Sequence, residues 1–127
     1  MPETNKPQKI LLIVDDSSLI IERILIILKE ACNVKKIFTA TDYIEAVNIL
    51  QEVKTDIVLL DIHLPGKNGI ELLKYIVQHY PETRVIMLSN SISSYYRKLC
   101  INIGAVCCID KSTEFEMITE VIAAICA

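Results

Sequence analysis

The fold is decided by DIVLLDIHLPGKNG, residues 56–69 of the chain. The run IVLL within it is unbroken and apolar, as a strand buried on both faces of a parallel sheet requires. That run ends at a carboxylate, Asp61, and Pro65 and Gly66 then predict a loop. Asp61 is therefore expected at the C-terminal end of a strand, where open α/β sheets place their ligands. Helical periodicity resumes only after Gly69, so we do not expect Asp61 to cap the next helix.

Composition indicates one domain and excludes several classes of protein. The chain has 127 residues and is 52% hydrophobic, which suits a single domain with a sheet covered on both faces. Its 16 acidic residues outnumber 13 scattered Lys and Arg, giving a net charge of -3. A nucleic-acid-binding surface would need the opposite balance, so we expect no direct contact with nucleic acid.

The cysteines and the apolar runs indicate the cellular compartment of the protein. The five cysteines are an odd number without disulfide-framework spacing, and no secretory segment precedes them. Acidic and basic residues interrupt the apolar runs well short of the ~20 residues of a spanning helix. We therefore predict a cytoplasmic protein with no membrane contact. Residues 1–8, polar and without a period, are interpreted as a loose leader to a domain that occupies residues 1–127.

Apolar strand runs alternate with helical patterns along the whole chain. The predicted strands are residues 10–14, 34–39, 57–60, 85–88 and 105–109. The predicted helices run from Ser17 or Ser18 to about residue 30, from Thr41 or Asp42 to about 53, over 70–80, over 95–103, and onward from a cap at Ser112 or Thr113. Pro81 and Gly104 are placed to end the third and fourth helices. This alternation predicts an α/β fold with a doubly wound parallel sheet and right-handed crossovers.

The first helix is apolar on all sides, which exceeds what one core-facing stripe can use. Two interpretations stay open at this point. Part of the helix is a docking face for a partner, or the whole helix is well buried. In the second helix, Tyr43 is expected to face outward together with Glu45, Asn48 and Gln51.

Polar residues follow the strand runs, and in a parallel sheet they meet at one edge. These residues are Asp15, Asp16, Asp61, Ser89 and Lys111. Crowded carboxylates repel one another and favour a hard cation such as Mg²⁺, which prefers carboxylate, water and phosphate oxygens. A carboxylate can also attack phosphorus if cations neutralise the transferring oxygens, and Lys111 would share that task with the metal. Ser89 could then donate its hydroxyl to a phosphoryl oxygen.

Taken together, these motifs make the chain resemble a receiver domain of bacterial two-component response regulators over residues 9–127. The resemblance implies a flavodoxin-like (βα)5 three-layer sandwich with the parallel strand order 2-1-3-4-5. It also implies phosphoryl transfer from a sensor histidine kinase or a histidine phosphotransfer protein. The modified face formed by the fourth helix, fifth strand and fifth helix would then bind an unknown downstream protein. No output domain follows in the sequence, so a stand-alone regulator is expected.

The resemblance also assigns roles to residues. Asp61, followed by proline four residues on and glycine eight on, resembles the phosphoacceptor. Asp16 is similar to the direct ligand of Mg²⁺ or Mn²⁺ and Asp15 to the water-mediated one, and the backbone carbonyl of His63 completes the metal site. The His63 imidazole is interpreted as a solvated loop side chain. Ser89 and Lys111 resemble the hydroxyl and lysine that stabilise the phosphoryl group. Catalysis is expected only on the chain's own phosphorylation and dephosphorylation.

One position departs from this family. Three residues before the lysine, receivers usually carry Tyr or Phe, whereas this chain has Cys108. The signal would then pass through backbone shifts of the fourth helix, or Tyr95 or Tyr96 would substitute for the missing ring. The neighbouring Cys107 and Cys108 also suggest redox sensing, but strand neighbours point to opposite faces and buried thiols are usually inert.

Two other classes of function stay open. The chain could be an interaction module with a receiver fold that works without phosphorylation, using the apolar first helix or the surface around Cys108. It could also be a flavodoxin-like cofactor binder. That class is weakened by carboxylates at the edge where a flavin phosphate would need amide donors.

Overall fold

The computed structural model describes residues 9–29, 34–90 and 92–126. The expected leader at residues 1–8, the predicted end of the first helix near Glu30, and Cys32 lie outside the described residues. Strands are β1 (Lys9–Val14), β2 (Val34–Ala40), β3 (Ile57–Asp61), β4 (Arg84–Ser89) and β5 (Cys107–Asp110). Helices are α1 (Ser18–Leu28), α2 (Tyr43–Glu52), α3 (Gly69–His79), α4 (Ser94–Ile103) and α5 (Met117–Cys126).

The five strands form one parallel sheet in the order β2-β1-β3-β4-β5. This confirms the predicted doubly wound α/β fold and its strand order. All five residues of β3 are buried, as the unbroken apolar run required. The central position of β3 places Asp61 between two neighbouring strands at the C-terminal edge of the sheet.

Alternate residues of each central strand feed two separate layers of core. In β1, Leu12 and Val14 pack with residues of α2, α3 and α4, whereas Leu11 and Ile13 pack with α1 and α5. This division follows from the two-residue period of a strand. It holds helices against both faces of the sheet and leaves the strand ends free to build a site.

Several helix ends agree with the sequence predictions. Ser17 caps α1 by accepting the backbone N–H of Ile20 at 3.2 Å, and Asp42 caps α2 by accepting that of Glu45 at 2.8 Å. Gly104 follows the last residue of α4 with a φ of +142°, a conformation that L side chains rarely adopt. The prediction that this glycine terminates α4 is therefore confirmed.

Three local predictions were wrong. Helix α5 begins at Met117, so Ser112 and Thr113 do not cap it; their backbone N–H groups donate to Asp110 Oδ1 at 2.8 and 3.3 Å and form a separate turn. Strand β5 begins at Cys107, because Ala105 N–H still donates to Cys100 O at the end of α4. Tyr43 is partly buried against the core, where its ring meets Tyr75 of α3 edge-on at 6.4 Å.

Helix α1 is buried on one side only, so the interpretation of a wholly buried helix was wrong and the docking face stays a prediction. Ile21, Ile24 and Leu28 are buried against the sheet, whereas Leu19 and Ile26 are 65% and 67% exposed. The helix therefore contributes to the core and also presents apolar side chains to solvent. No helix in the described part of the chain has both the length and the apolar character needed to cross a bilayer.

Candidate functional site

The predicted site residues lie at the C-terminal ends of adjacent strands. Asp15 and Asp16 follow β1, Asp61 ends β3, Ser89 ends β4 and Lys111 follows β5. Residues separated by up to 96 positions are joined at this edge, since Lys111 Nζ lies 2.8 Å from Asp15 Oδ2. The parallel sheet accounts for this convergence. Parallel strands present their carboxyl ends on the same side, and β1, β3, β4 and β5 are neighbours in the strand order.

Three carboxylates form a compact cluster. Asp15, Asp16 and Asp61 each offer an oxygen atom, and these atoms lie within 4.8 Å of one another. Asp15 and Asp61 are buried, whereas Asp16 is exposed, so the cluster is open to solvent on the side of Asp16. Oxygen ligands at this spacing are the donor set that a hard divalent cation prefers.

Lys111 partly neutralises the cluster. Its ammonium nitrogen lies 2.8 Å from Asp15 Oδ2 and 3.5 Å from Asp61 Oδ2, and its side chain is only 5% exposed. One ammonium facing three carboxylates leaves about two negative charges without compensation. Since buried charge is costly to leave unpaired, the residues present fit a divalent cation that would bind beside Lys111.

The electrostatics of Asp61 reflect its position. Burial raises the pKa of its carboxyl above the ordinary value, the nearby Lys111 ammonium opposes that rise, and the Asp15 carboxylate adds to it. The backbone N–H of His63 donates to Asp61 Oδ1 at 3.2 Å, while the residue His63 itself is exposed. The His63 side chain therefore belongs to the solvated loop, as the sequence suggested.

Gly69 allows α3 to start directly against the end of β3. A Cβ atom at this position would meet Asp61 O at 2.0 Å and Ile62 Cα at 2.8 Å, far inside any tolerated contact. The N–H of Gly69 donates to Ile62 O at 2.7 Å. The side chain of Asn68, one residue earlier, caps α3. Asp61 does not cap α3, as predicted, and the absence of a side chain at position 69 leaves room for the backbone of Asp61.

Ser89 lies next to the pocket but its hydroxyl is engaged elsewhere. Its side chain is buried, and its Oγ donates to Asn90 O at 3.1 Å. The carbonyl of Ser89 accepts the backbone N–H of Lys111 at 2.8 Å, which fixes the two residues side by side. The hydroxyl would have to rotate away from Asn90 before it could donate to a group on Asp61.

Cys108 is buried where the family resemblance predicts an aromatic ring. Its thiol is in contact distance of Arg97 O, at 3.9 Å, and it packs in the core layer shared with α4. Burial, reinforced by the neighbouring Cys100, raises the pKa of the Cys108 thiol to about 12. A thiol that stays protonated at neutral pH is a poor nucleophile, so the structure does not favour redox sensing at this residue.

The two tyrosines considered as substitutes for the missing ring lie on the surface of α4. Tyr95 is 68% exposed and Tyr96 is 44% exposed. Their rings contact each other edge-on, with centroids 5.3 Å apart. They extend an exposed surface at the start of α4.

Sequence reasoning missed a second group of residues beside the site. Arg97 Nη1 donates to Cys108 O at 2.6 Å, and Arg97 Nη2 lies 3.4 Å from Glu114 Oε1. The same Glu114 oxygen accepts the backbone N–H of Asp110 at 3.0 Å. Neither Arg97 nor Glu114 belongs to a strand-end motif, and no periodicity marks them. Only the structure brings them together.

The chain is similar to known proteins both in sequence and in structure. The family model of the response regulator receiver domain matches residues 11–123. The Fimbriae Z protein of Salmonella typhimurium is 31% identical over 100 residues, covering 79% of this chain and 47% of that protein. A protein-glutamate methylesterase/protein-glutamine glutaminase of Thermotoga maritima is 40% identical over 79 residues, covering 62% of this chain and 23% of that enzyme. The chain thus spans about half or less of the length of these relatives.

Solved structures share the fold. A two-component response regulator of the LuxR family from Aurantimonas superposes with a TM-score of 0.86 at 25% identity, covering 94% of this chain and 85% of that one. The chemotaxis response regulator CheY4 of Vibrio cholerae superposes with a TM-score of 0.82 at 24% identity, covering 93% and 98% of the two chains. The second likeness concerns the fold alone.

Proposed function

The chain belongs to the response regulator receiver domain family, and from this premise we propose that Asp61 accepts a phosphoryl group from a phosphohistidine. The donor would be a sensor histidine kinase or a histidine phosphotransfer protein. The observation that carries the proposal is the position of Lys111, whose ammonium lies between the buried carboxylates of Asp15 and Asp61. An ammonium in that place can neutralise charge on a group transferred to Asp61.

In the proposed reaction an oxygen of Asp61 attacks phosphorus while the bond between phosphorus and the donor imidazole breaks. The imidazole leaves and takes up a proton from solvent, and Asp61 becomes an acyl phosphate. Lys111 neutralises one of the new phosphoryl oxygens. Ser89 turns its hydroxyl from Asn90 O toward another of these oxygens.

The proposal includes Mg²⁺, or Mn²⁺, at the carboxylate cluster. Asp16, Asp61 and the backbone carbonyl of His63 would be direct ligands, and Asp15 would act through a water molecule. When bound, the metal supplies positive charge for the transferring oxygens. The fit rests on the three carboxylate oxygens within 4.8 Å of one another and on the charge that Lys111 leaves uncompensated.

The surface of α1 supports a protein donor. Leu19 and Ile26 are exposed on the helix that starts directly after the acidic cluster. Apolar side chains in such a place suit a protein partner that must bring its phosphohistidine to Asp61.

The phosphorylated state would be recognised by a downstream protein at the face formed by α4, β5 and α5. Catalysis would be limited to the phosphorylation of the chain itself and to hydrolysis of its acyl phosphate. We propose the cytoplasm as its location, because four of the described cysteines are free thiols, which suits a reducing compartment.

The first test uses a small phosphodonor. Incubation with acetyl phosphate and Mg²⁺ should retard the wild-type protein on a phosphate-affinity gel, whereas Asp61→Asn should stay unmodified. A matched control is Asp42→Asn, because asparagine replaces aspartate well as the cap of α2. This control should be retarded like wild type, and chelation of the metal should abolish the shift. Equal migration of wild type and Asp61→Asn would overturn the proposal.

A second candidate function is favoured by Cys108 alone. A receiver fold without the usual ring at this position could bind its partner regardless of phosphorylation. Partner affinity that responds neither to beryllofluoride nor to Asp61→Asn would identify this function in place of the first.

A further inference from the structure

Strand β5 lies at the edge of the sheet, so one side of its backbone pairs with no other strand of the described residues. The strand order places β5 next to β4 only. The backbone N–H of Lys111 points toward β4, where it donates to Ser89 O at 2.8 Å. Since backbone groups of successive residues alternate between the two sides of a strand, Asp110 N–H and Cys108 O point to the open side.

On that open side, Arg97 and Glu114 take the place of a neighbouring strand. Arg97 donates to Cys108 O at 2.6 Å, and Glu114 Oε1 accepts Asp110 N–H at 3.0 Å. The guanidinium and the carboxylate meet at 3.4 Å. We call Arg97 and Glu114, with these two backbone groups, the β5 clamp. It joins α4, which carries Arg97, to the turn that follows β5.

The β5 clamp and the acidic pocket act on adjacent residues. Asp110 is held by Glu114, and the next residue, Lys111, sends its ammonium to Asp15 at 2.8 Å and to Asp61 at 3.5 Å. Lys111 is thus held through its side chain by the pocket. The β5 clamp holds the backbone of Asp110, the residue immediately before Lys111.

A phosphoryl group on Asp61 would change this balance. It would offer new anionic oxygens to the Lys111 ammonium, which now makes its shortest contact with Asp15. Movement of Lys111 toward those oxygens would displace Asp110 relative to Glu114. Arg97 contacts Glu114 and belongs to α4, so the displacement would reach that helix through direct contacts.

We propose, on the basis of the function above, that Arg97 is a positioning residue for Lys111 and couples the state of Asp61 to α4. The β5 clamp couples Asp61 to α4 through polar contacts. Cys108 has no ring, so it cannot couple them by turning an aromatic side chain inward. The exposed Tyr95 and Tyr96 precede Arg97 on the same helix turn and would follow its movement. In this scheme Arg97 transmits the change at Asp61 to α4, and the positions of Tyr95 and Tyr96 change as a result.

The test uses ¹⁹F NMR of the full chain labelled with fluorotyrosine, with beryllofluoride and Mg²⁺ as the phosphoryl mimic. One spectrum then shows bound beryllofluoride and the tyrosines of α4 together. In the wild type, the mimic should shift the signals of Tyr95 and Tyr96. In Arg97→Gln these shifts should fall at least twofold while beryllofluoride still binds. Lys98→Gln, which removes a charge from the adjacent exposed residue, is the matched control and should keep the wild-type shifts.

Glu114→Gln provides a second variant that keeps an oxygen for Asp110 N–H but removes the charge that faces Arg97. It should reduce the shifts as Arg97→Gln does, and the double variant should be no worse than either single one, because the two residues act as a unit. Unchanged signals of Tyr43, Tyr75 and Tyr80 before addition of the mimic would show that the variants are folded.

The outcomes separate the two proposals. If wild type binds no beryllofluoride, the proposed function and the coupling that rests on it are both overturned. If beryllofluoride binds and Arg97→Gln shows the full shifts of Tyr95 and Tyr96, the coupling role of Arg97 is overturned and the proposed function stands. A variant that loses stability but keeps the full shifts would likewise assign Arg97 a structural role only.

Discussion

Two ion pairs lie on opposite sides of the turn after β5, and they differ in almost every physical respect. Lys111 and Asp15 are 2.8 Å apart, with side chains 5% and 0% exposed. Arg97 and Glu114 are 3.4 Å apart, with side chains 40% and 36% exposed. Both pairs restrain the same short segment, and the largest difference between them is the burial of their side chains.

Burial determines what each pair can do. In the pocket, removal of one partner leaves a charge in a poorly solvated place, so the pair is strongly coupled to stability. At the surface, water replaces a lost partner at little cost, so the Arg97–Glu114 pair can open and close without unfolding the domain. The first pair suits a fixed site of chemistry, and the second suits a contact that changes between two states.

The largest effect is expected for Lys111→Met. This change leaves Asp15 fully buried without its ammonium and adds to the repulsion among the three carboxylates. We expect the free energy of unfolding to fall by about 3 kcal/mol in the absence of divalent metal, as for other broken buried pairs. Urea denaturation at neutral pH measures this, and Mg²⁺ should restore part of the loss by binding the folded state.

The control for this experiment changes the charge of the pocket in the opposite direction. Asp61→Asn removes one clustered carboxylate and keeps the ammonium, so without metal it should unfold at a higher urea concentration than wild type. An unfolding midpoint for Lys111→Met equal to that of wild type would show that burial does not make this pair important, and the contrast between the two pairs would fail.

The pocket could be predicted from sequence because each of its residues follows a recognisable apolar run. The run of β3 ends at Asp61 and that of β1 ends at Asp15, so strand patterning and parallel topology suffice to bring them together. Gly104 was also predicted from the sequence, since its position agreed with the end of the helical periodicity, whereas the close approach of Gly69 to the backbone of Asp61 was not. Local signals and the global fold agree at these positions.

The rest of the fold and of the site could not be predicted from the sequence. It depends on which local groups form hydrogen bonds with one another, and the pattern of apolar residues does not determine that. Ser112 is a good cap residue by type, yet the Asp110 carboxylate takes its N–H at 2.8 Å and forms a turn before α5 begins. Arg97 and Glu114 meet on the open side of β5, to which no sequence motif points. A half-exposed ion pair between a helix and a turn leaves no periodic trace in the sequence.

An effect of intermediate size is expected for the reactivity of the two thiols of β5. Cys108 is 3% exposed and burial raises its pKa to about 12, whereas Cys107 is partly exposed, although burial raises its pKa too. Thiolate is the reactive form, and a raised pKa delays its formation as pH increases. Between pH 7 and 9, iodoacetamide should modify Cys108 at least tenfold more slowly than Cys107.

Peptide mapping by mass spectrometry distinguishes the two residues, and unfolding in urea provides the control, since the rates should then become similar. Equal rates in the folded protein would mean that α4 opens readily over β5. That result would weaken the picture of a clamp that holds the two elements together.

The smallest effect on stability is expected for Arg97→Gln. The residue loses an ion pair to Glu114 and a hydrogen bond to Cys108 O, but the side chains of Arg97 and Glu114 are 40% and 36% exposed, so water can take the place of the guanidinium at Glu114. Discounted for solvent screening, the cost should be at most about 1 kcal/mol, against about 3 kcal/mol for Lys111→Met. Urea denaturation of both variants beside Lys98→Gln, which should match wild type, gives the comparison directly. A cost for Arg97→Gln as large as that for Lys111→Met would mean that the clamp is part of the fixed core of the domain. The contrast between a buried pair that stabilises the fold and an exposed pair that contributes little to it would then fail.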